Sequence, residues 1–239
     1  MLTKRVFRAA FVSSLPVLMG YTAMGMAAGI LLVGTAPMKC TPFWAFLSSA
    51  INISGALQFI MCDWALHLTP LTEVALLTFC LNVRYAMYGL SLLERFRGLP
   101  WYTKCYLIWS LTDETYALEV ENKTPPGENP VTYALLVASL DHLYWIGGVV
   151  AGAAIGSHLP FDNKGIDFAM TALFLVVLTE QCRNKSNRLS ALTGAAAALI
   201  GLLTVGKANM LIVAMVLMTV TFVVFRKYFD KPTAKEQGE

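Results

Sequence analysis

The chain has 239 residues, of which 56% are hydrophobic and only 14% charged, with a mean hydropathy of +0.59. Soluble domains carry charge on about a quarter of positions, so an ordinary water-soluble fold is excluded, and no polar stretch is long enough to clothe a separate core. The net charge of +3 is small, and its basic residues sit at the ends of apolar runs, which excludes a nucleic-acid surface.

A spanning helix needs about 20 apolar residues, because its backbone groups must pair within the helix. Eight apolar runs qualify, at about 10–33, 43–66, 70–93, 101–119, 131–157, 166–181, 188–205 and 208–226. The fold expected is all-α: a polytopic transmembrane bundle with six to eight full crossings, forming a single membrane domain over residues 1–239.

The first run follows Lys4, Arg5 and Arg8 and is longer than the apolar core of a signal peptide, so it reads as a retained first helix. Pro16, one turn before Gly20, frees a carbonyl of the preceding turn and predicts a kink or break there. Gly20, Gly25 and Gly29, with Gly148, Gly152 and Gly156 of the fifth run, mark close helix packing.

The second run carries Asn52, Ser54, Gly55, Gln58 and Asp63. Ser54, Gln58 and Cys62 recur every fourth residue and share a face, a stripe that more often joins helices than binds a ligand. In the third run Asn82 and Arg84 point about 200° apart on a helix. Thr78, Asn82 and Tyr85 therefore form one polar stripe, and Arg84, Tyr88 and Ser91 another. A charge at bilayer depth needs a partner or a purpose. Arg84 either binds a carboxylate or balances an acidic proton carrier, or else makes a structural ion pair or snorkels towards the nearby basic loop.

The short fourth run holds Asp113 beside Glu114, about 100° apart, so that one can face a pathway while the other pairs; the alternative is two solvated acids at an interface. Asp141-His142 lies near the start of the fifth run, and a satisfied core histidine is expected there. Five scattered cysteines and three histidines without ligand spacing imply neither disulfide, metal nor cofactor.

Lys and Arg flank cytoplasmic loops. The clusters Lys4/Arg5/Arg8, Arg95/Arg97/Lys104, Arg183/Lys185/Arg188 and Arg226/Lys227/Lys231 place both termini in the cytoplasm. Eight full crossings would put the Arg95 loop outside. If the runs at 43–66 and 101–119 are instead re-entrant or broken, all four clusters fall inside; both topologies remain open on sequence.

Six motifs then appear in order. They are Pro16-(x3)-Gly20-Tyr21-(x3)-Gly25-x-Ala27-x-Gly29; Gly55-(x2)-Gln58-Phe59; Asn82-x-Arg84-(x3)-Tyr88-Gly89-Leu90-Ser91-Leu92; Thr112-Asp113-Glu114-Thr115 with Ala117; Tyr144-Trp145-(x2)-Gly148; and Asp167-Phe168-Ala169. Together they resemble the AzlC type of branched-chain amino acid permease. Two departures are Ser54-Gly55-Ala56-Leu57-Gln58-Phe59, where the family usually has Ala-Gly-Ser-Ala-Gln-Phe, and Thr171, where it has proline.

The resemblance implies the large subunit of a secondary transporter that exports valine, leucine, isoleucine and methionine across a bacterial inner membrane, driven by the proton gradient, with a small AzlD-type (YgaH-like) membrane partner. A zwitterionic substrate needs a carboxylate site (Arg84, or helix N-terminal amides near Pro16–Gly20 or Gly55), an ammonium site (Asp113 or freed carbonyls) and an apolar wall (Tyr21, Phe59, Tyr88, Trp145). Gln58, Asn82 and Glu114 complete the pathway candidates. Other readings are transport of a different small amphipathic solute, a non-transporting scaffold subunit, and an intramembrane hydrolase using Ser54 and His142, which lacks the surrounding signature of such enzymes.

Overall fold

A computed structural model describes residues 3–34, 41–158, 175, 178–179, 182–183, 185–206 and 210–225. Every regular element among them is a helix: α1 (Lys4–Gly34), α2 (Pro42–Ile51), α3 (Gly55–His67), α4 (Leu71–Ser91), α5 (Trp101–Trp109), α6 (Asp113–Glu121), α7 (Pro130–Gly156), α8 (Lys185–Val205) and α9 (Met210–Val224). The Asp167-Phe168-Ala169 motif, Thr171 and the Arg226 cluster lie outside the described residues, as does most of the run at 166–181. Packing divides the chain into two units, residues 1–166 and 167–239.

Among the described residues four helices are long and apolar enough to cross a membrane: α1, α4, α7 and residues 188–205 of α8. Their outward faces are apolar; α4, for example, exposes Phe79, Val83, Met87 and Leu90. Such stripes suit lipid rather than water.

The first unit is built on α1 and α7, which run side by side in the same direction. Thr3 donates to Glu128 at one end. Val6 and Ala10 pack with Tyr133 and Val137, Gly25 meets Gly148, and Ile30 meets Gly156 at the other end. The glycine pattern has a steric cause: a Cβ on Gly29 or Gly152 would run into the backbone of Val149 or Met26, and one on Gly148 would stand 2.8 Å from the Tyr21 carbonyl.

Contacts also settle the direction of the remaining helices. Arg84 and Tyr88 reach Asp113, Ser91 reaches Tyr116, and Arg95 reaches Glu119, so α4 and α6 run together. α6 opposes α7, because Thr115 bonds Asp141 while Leu118, farther along, packs among Val6, Ala10, Tyr133 and Val137. α4 is therefore antiparallel to α1 and α7. Its end, with Leu92 and Phe96 against Ala134 and Ala138, lies at the same side as the start of α1.

Both suspicious runs are broken. α5 rises along α7, with Tyr106 at Ser139 and Trp109 at His142; the chain turns at Ser110-Leu111-Thr112, and α6 returns. α2 ends with Ser49 and Ala50 against His142, the chain opens at Asn52-Ile53-Ser54, and α3 folds back, since Gln58 donates to Ser48 at 2.9 Å. At 21 residues, or about 31 Å of helix, α4 starts on the side opposite its basic end, so α2–α3 dips in from that opposite side.

The described part of the first unit thus contains three crossings and two re-entrant pairs. The alternative of full crossings at 43–66 and 101–119 is corrected, and Arg95, Arg97 and Lys104 join Lys4, Arg5 and Arg8 on one side. A reporter fused after Gly98 should therefore report the same side as one fused at the N-terminus; opposite signals would refute this topology.

Of the kink or break expected at Pro16, the break is absent. α1 runs unbroken through Pro16. Pro16 and Gly20 sit on its exposed face, where one lost backbone hydrogen bond interrupts no packing layer. In the second unit α8 and α9 form an antiparallel hairpin, with Gly194 at Met218 and Gly201 at Met210, and Gly206 turns at φ +75°.

Candidate functional site

The two re-entrant tips meet beside α4. Between them lies a cavity of about 430 Å³, within the size range of small-molecule sites. The first tip and its flanks supply Ile51, Asn52, Ile53, Ser54, Leu57 and Met61; α4 supplies Asn82, Tyr85 and Ala86; the second tip supplies Ile108, Trp109 and Leu111. The wall is mostly apolar, with a few polar groups placed at the breaks.

Each tip is capped by a short hydroxyl residue. The Ser54 hydroxyl accepts from the Leu57 amide at 3.4 Å, and Asn52 Oδ1 accepts from the Ser54 amide at 3.1 Å. Thr112 Oγ1 accepts from the Thr115 amide at 3.1 Å. These caps start α3 and α6 at the breaks. The first amides of α3, at Gly55 and Ala56, have no carbonyl one turn earlier to bind, and the positive end of the helix dipole lies at the cavity.

α4 presents both of its polar stripes. Asn82 and Tyr85 line the cavity, and the Asn82 Oδ1 is buried without a hydrogen-bond partner. Arg84 bridges the stripes: one nitrogen donates to the Tyr85 hydroxyl at 3.1 Å and the other stands 2.8 Å from Asp113 Oδ2. Tyr88 donates to the second Asp113 oxygen at 2.9 Å and stacks on Tyr116 with centroids 4.3 Å apart.

The remaining candidates divide. Tyr21, Gly55 and Trp145 come together: the Tyr21 ring meets the Trp145 edge at 5.6 Å, and a Cβ on Gly55 would lie 3.3 Å from the indole. Tyr21 also joins Glu114, donating to it at 2.8 Å. Gln58 is fully buried and ties α3 to Ser48. Pro16 and Gly20 do not join the cluster, and since α1 is unbroken there it offers no free amides. Phe59, Tyr21 and Trp145 are packed in the interior, and the apolar wall is formed instead by the isoleucines, leucines, Met61 and Trp109. The Ser54 hydroxyl pairs with Leu57 and lies 3.5 Å from the Tyr85 hydroxyl, while His142 faces the backbone of α2.

Two residues gain weight from the structure. Asp141 is 2% exposed and accepts from Thr115 at 2.8 Å. Glu119 is 1% exposed beside Arg95, whose guanidinium also binds the Glu119 carbonyl. The available signal for Asp141 was eleven helical residues before it, enough to carry it well away from the loop.

The profile of the AzlC protein family matches residues 16–159, which run from Pro16 within α1 to beyond the end of α7 and include both tips and every residue of the cavity. The chain belongs to the AzlC family. It is 30% identical to the branched-chain amino acid transport protein AzlC of Bacillus subtilis over 225 residues, 94% of this chain and 87% of that one. It is 34% identical to a membrane protein of Helicobacter pylori strain J99 over 95% of this chain and 97% of the relative. The inner membrane protein YgaZ of Escherichia coli is 29% identical over 73% of this chain and 72% of its own length. No solved structure matches. This AzlC-family chain is accordingly a polytopic helical membrane protein.

Proposed function

We propose that this chain is the large, substrate-carrying subunit of a proton-driven exporter of branched-chain amino acids in a bacterial inner membrane, with both termini cytoplasmic. It is not an enzyme on this reading, and it works with a small AzlD-type membrane subunit. The observation that carries the proposal is the cavity between two helix breaks, in a chain similar over most of its length to a branched-chain amino acid transport protein.

The chemistry of the cavity suits the substrate. Amides at the start of α3, with the Tyr85 hydroxyl held by Arg84, take the carboxylate. The Asn82 Oδ1 and carbonyls freed at Ile51–Ile53 take the ammonium. Ile51, Leu57, Met61, Ile108 and Trp109 take a branched apolar side chain. Valine, leucine, isoleucine and methionine differ little in what such a wall can read, because one methylene is worth only about 1–3 kcal/mol.

The test is direct. Cells unable to export valine are given this chain with and without the small partner, loaded with a valine dipeptide, and followed for external valine. The expected result is faster efflux with the pair, abolished by an uncoupler. Efflux of all four amino acids equal to that of empty cells, with the chain present in the membrane, would overturn the substrate assignment.

A further inference from the structure

A line of hydroxyl groups connects two carboxyls across the second tip. Tyr21 donates to Glu114 Oε2 at 2.8 Å and stands 2.6 Å from Thr112 Oγ1. Thr112 Oγ1 donates to Thr115 Oγ1 at 3.0 Å, and Thr115 Oγ1 donates to Asp141 Oδ2 at 2.8 Å. Every link is within normal hydroxyl hydrogen-bond length. Glu114 is exposed, whereas Thr112, Thr115, Tyr21 and Asp141 are all buried. The other Asp141 oxygen, Oδ1, is buried with no partner.

We propose that Asp141 is a proton-carrying carboxyl of this chain, and that Thr115, Thr112 and Tyr21 relay its proton to and from Glu114. The inference rests on the proton-driven reading above and names the groups through which that coupling runs.

The transfer balances at each atom. With Asp141 protonated on Oδ2, its O–H donates to Thr115, Thr115 to Thr112, Thr112 to Tyr21 and Tyr21 to Glu114. As Asp141 gives up its proton, each hydroxyl accepts one and passes its own on, so Glu114 gains one and no hydroxyl is left charged. All three hydroxyls then point the other way, and Thr112 still accepts from the Thr115 amide. With both carboxyls ionised the three hydroxyl protons serve three of the four links and none lies between Tyr21 and Thr112; a proton on either carboxyl supplies the fourth, and in that contact either atom can donate.

The arrangement also separates the two ends. Glu114 and Glu119 on α6 and Tyr21 on α1 are the titratable groups that act on Asp141. α2, which also packs on α7, has no titratable side chain. Asp113 is outside the line, held by Arg84 and Tyr88.

The test uses the purified full chain and infrared difference spectra between acid and alkaline pH, which detect the carbonyl stretch of a protonated carboxyl. The expected wild-type band survives Asp113→Asn and disappears in Asp141→Asn. After a pH jump, the band decays at least about tenfold more slowly in Thr115→Val and in Tyr21→Phe, as loss of a positioned proton donor implies; Thr115→Ser restores the rate. A band that persists in Asp141→Asn, or a rate unchanged by both hydroxyl deletions, overturns the relay. Valine export that is insensitive to an uncoupler, with the band and its kinetics intact, instead overturns the proton-driven transport reading.

Discussion

Gly152→Leu should prevent assembly of the first unit, and Gly29→Leu should do the same. In each case the new Cβ alone would overlap backbone of the opposing helix, so no rotamer relieves the clash and α1 and α7 must separate. Overpacking a close-packed interior usually costs about 1–3 kcal/mol and more where the neighbour is immobile; here at least about 3 kcal/mol is expected. The control is Gly147→Ala, on the same helix, where an added Cβ meets nothing within 4 Å. Size-exclusion profiles of fluorescently tagged protein read the result: aggregated or degraded Gly152→Leu beside wild-type-like Gly147→Ala. A monodisperse Gly152→Leu of unchanged thermal stability would mean that the two helices do not pack through these glycines.

The second large effect concerns Arg84 and Asp113. Arg84 holds two partners with two nitrogens, and Asp113 in turn holds Tyr88. Arg84→Ala and Asp113→Asn should each lower valine export by at least about tenfold at unchanged protein level, because each leaves a charge at bilayer depth without its partner. Arg84→Lys should recover little, since one ammonium lacks the planar fork that reaches both Tyr85 and Asp113. The double variant should be less impaired than the product of the single effects, as groups in direct contact are not additive. Full valine export by both single variants would remove both charges from the mechanism.

Most of the fold was legible because lipid simplifies the problem: long apolar runs must be helices. The breaks were legible too, since Asn52, Ser54 and Gly55 in one run, and Asp113 with Glu114 in the other, are residues an uninterrupted apolar helix has little use for. The direction of re-entry was legible only through the basic clusters: with Lys4/Arg5/Arg8 and Arg95/Arg97/Lys104 on one side, the run at 43–66 must re-enter from the other side and the run at 101–119 from the basic side. Pro16 misled because proline costs a helix one hydrogen bond, and whether the helix breaks depends on what packs there. Asp141 was undervalued because its hydroxyl partner is 26 residues away in α6, and Glu119 because Arg95 reads as a topology signal until the two are seen together. The cavity wall was missed for the plainest reason. Isoleucine and leucine are what membrane helices are made of, so the residues that face a substrate look like those that face lipid.

The glycine seam between α1 and α7 limits how the molecule can move. Backbone set directly against backbone holds the two helices at close range along their length, from Gly25 against Gly148 to Ile30 against Gly156. These two helices therefore travel together as a fixed frame. The re-entrant pairs are joined to that frame and to α4 largely by tyrosine, threonine and serine hydroxyls, groups that can both donate and accept. One pair enters from each side of the bilayer, so one broken helix pair stands between the cavity and either side.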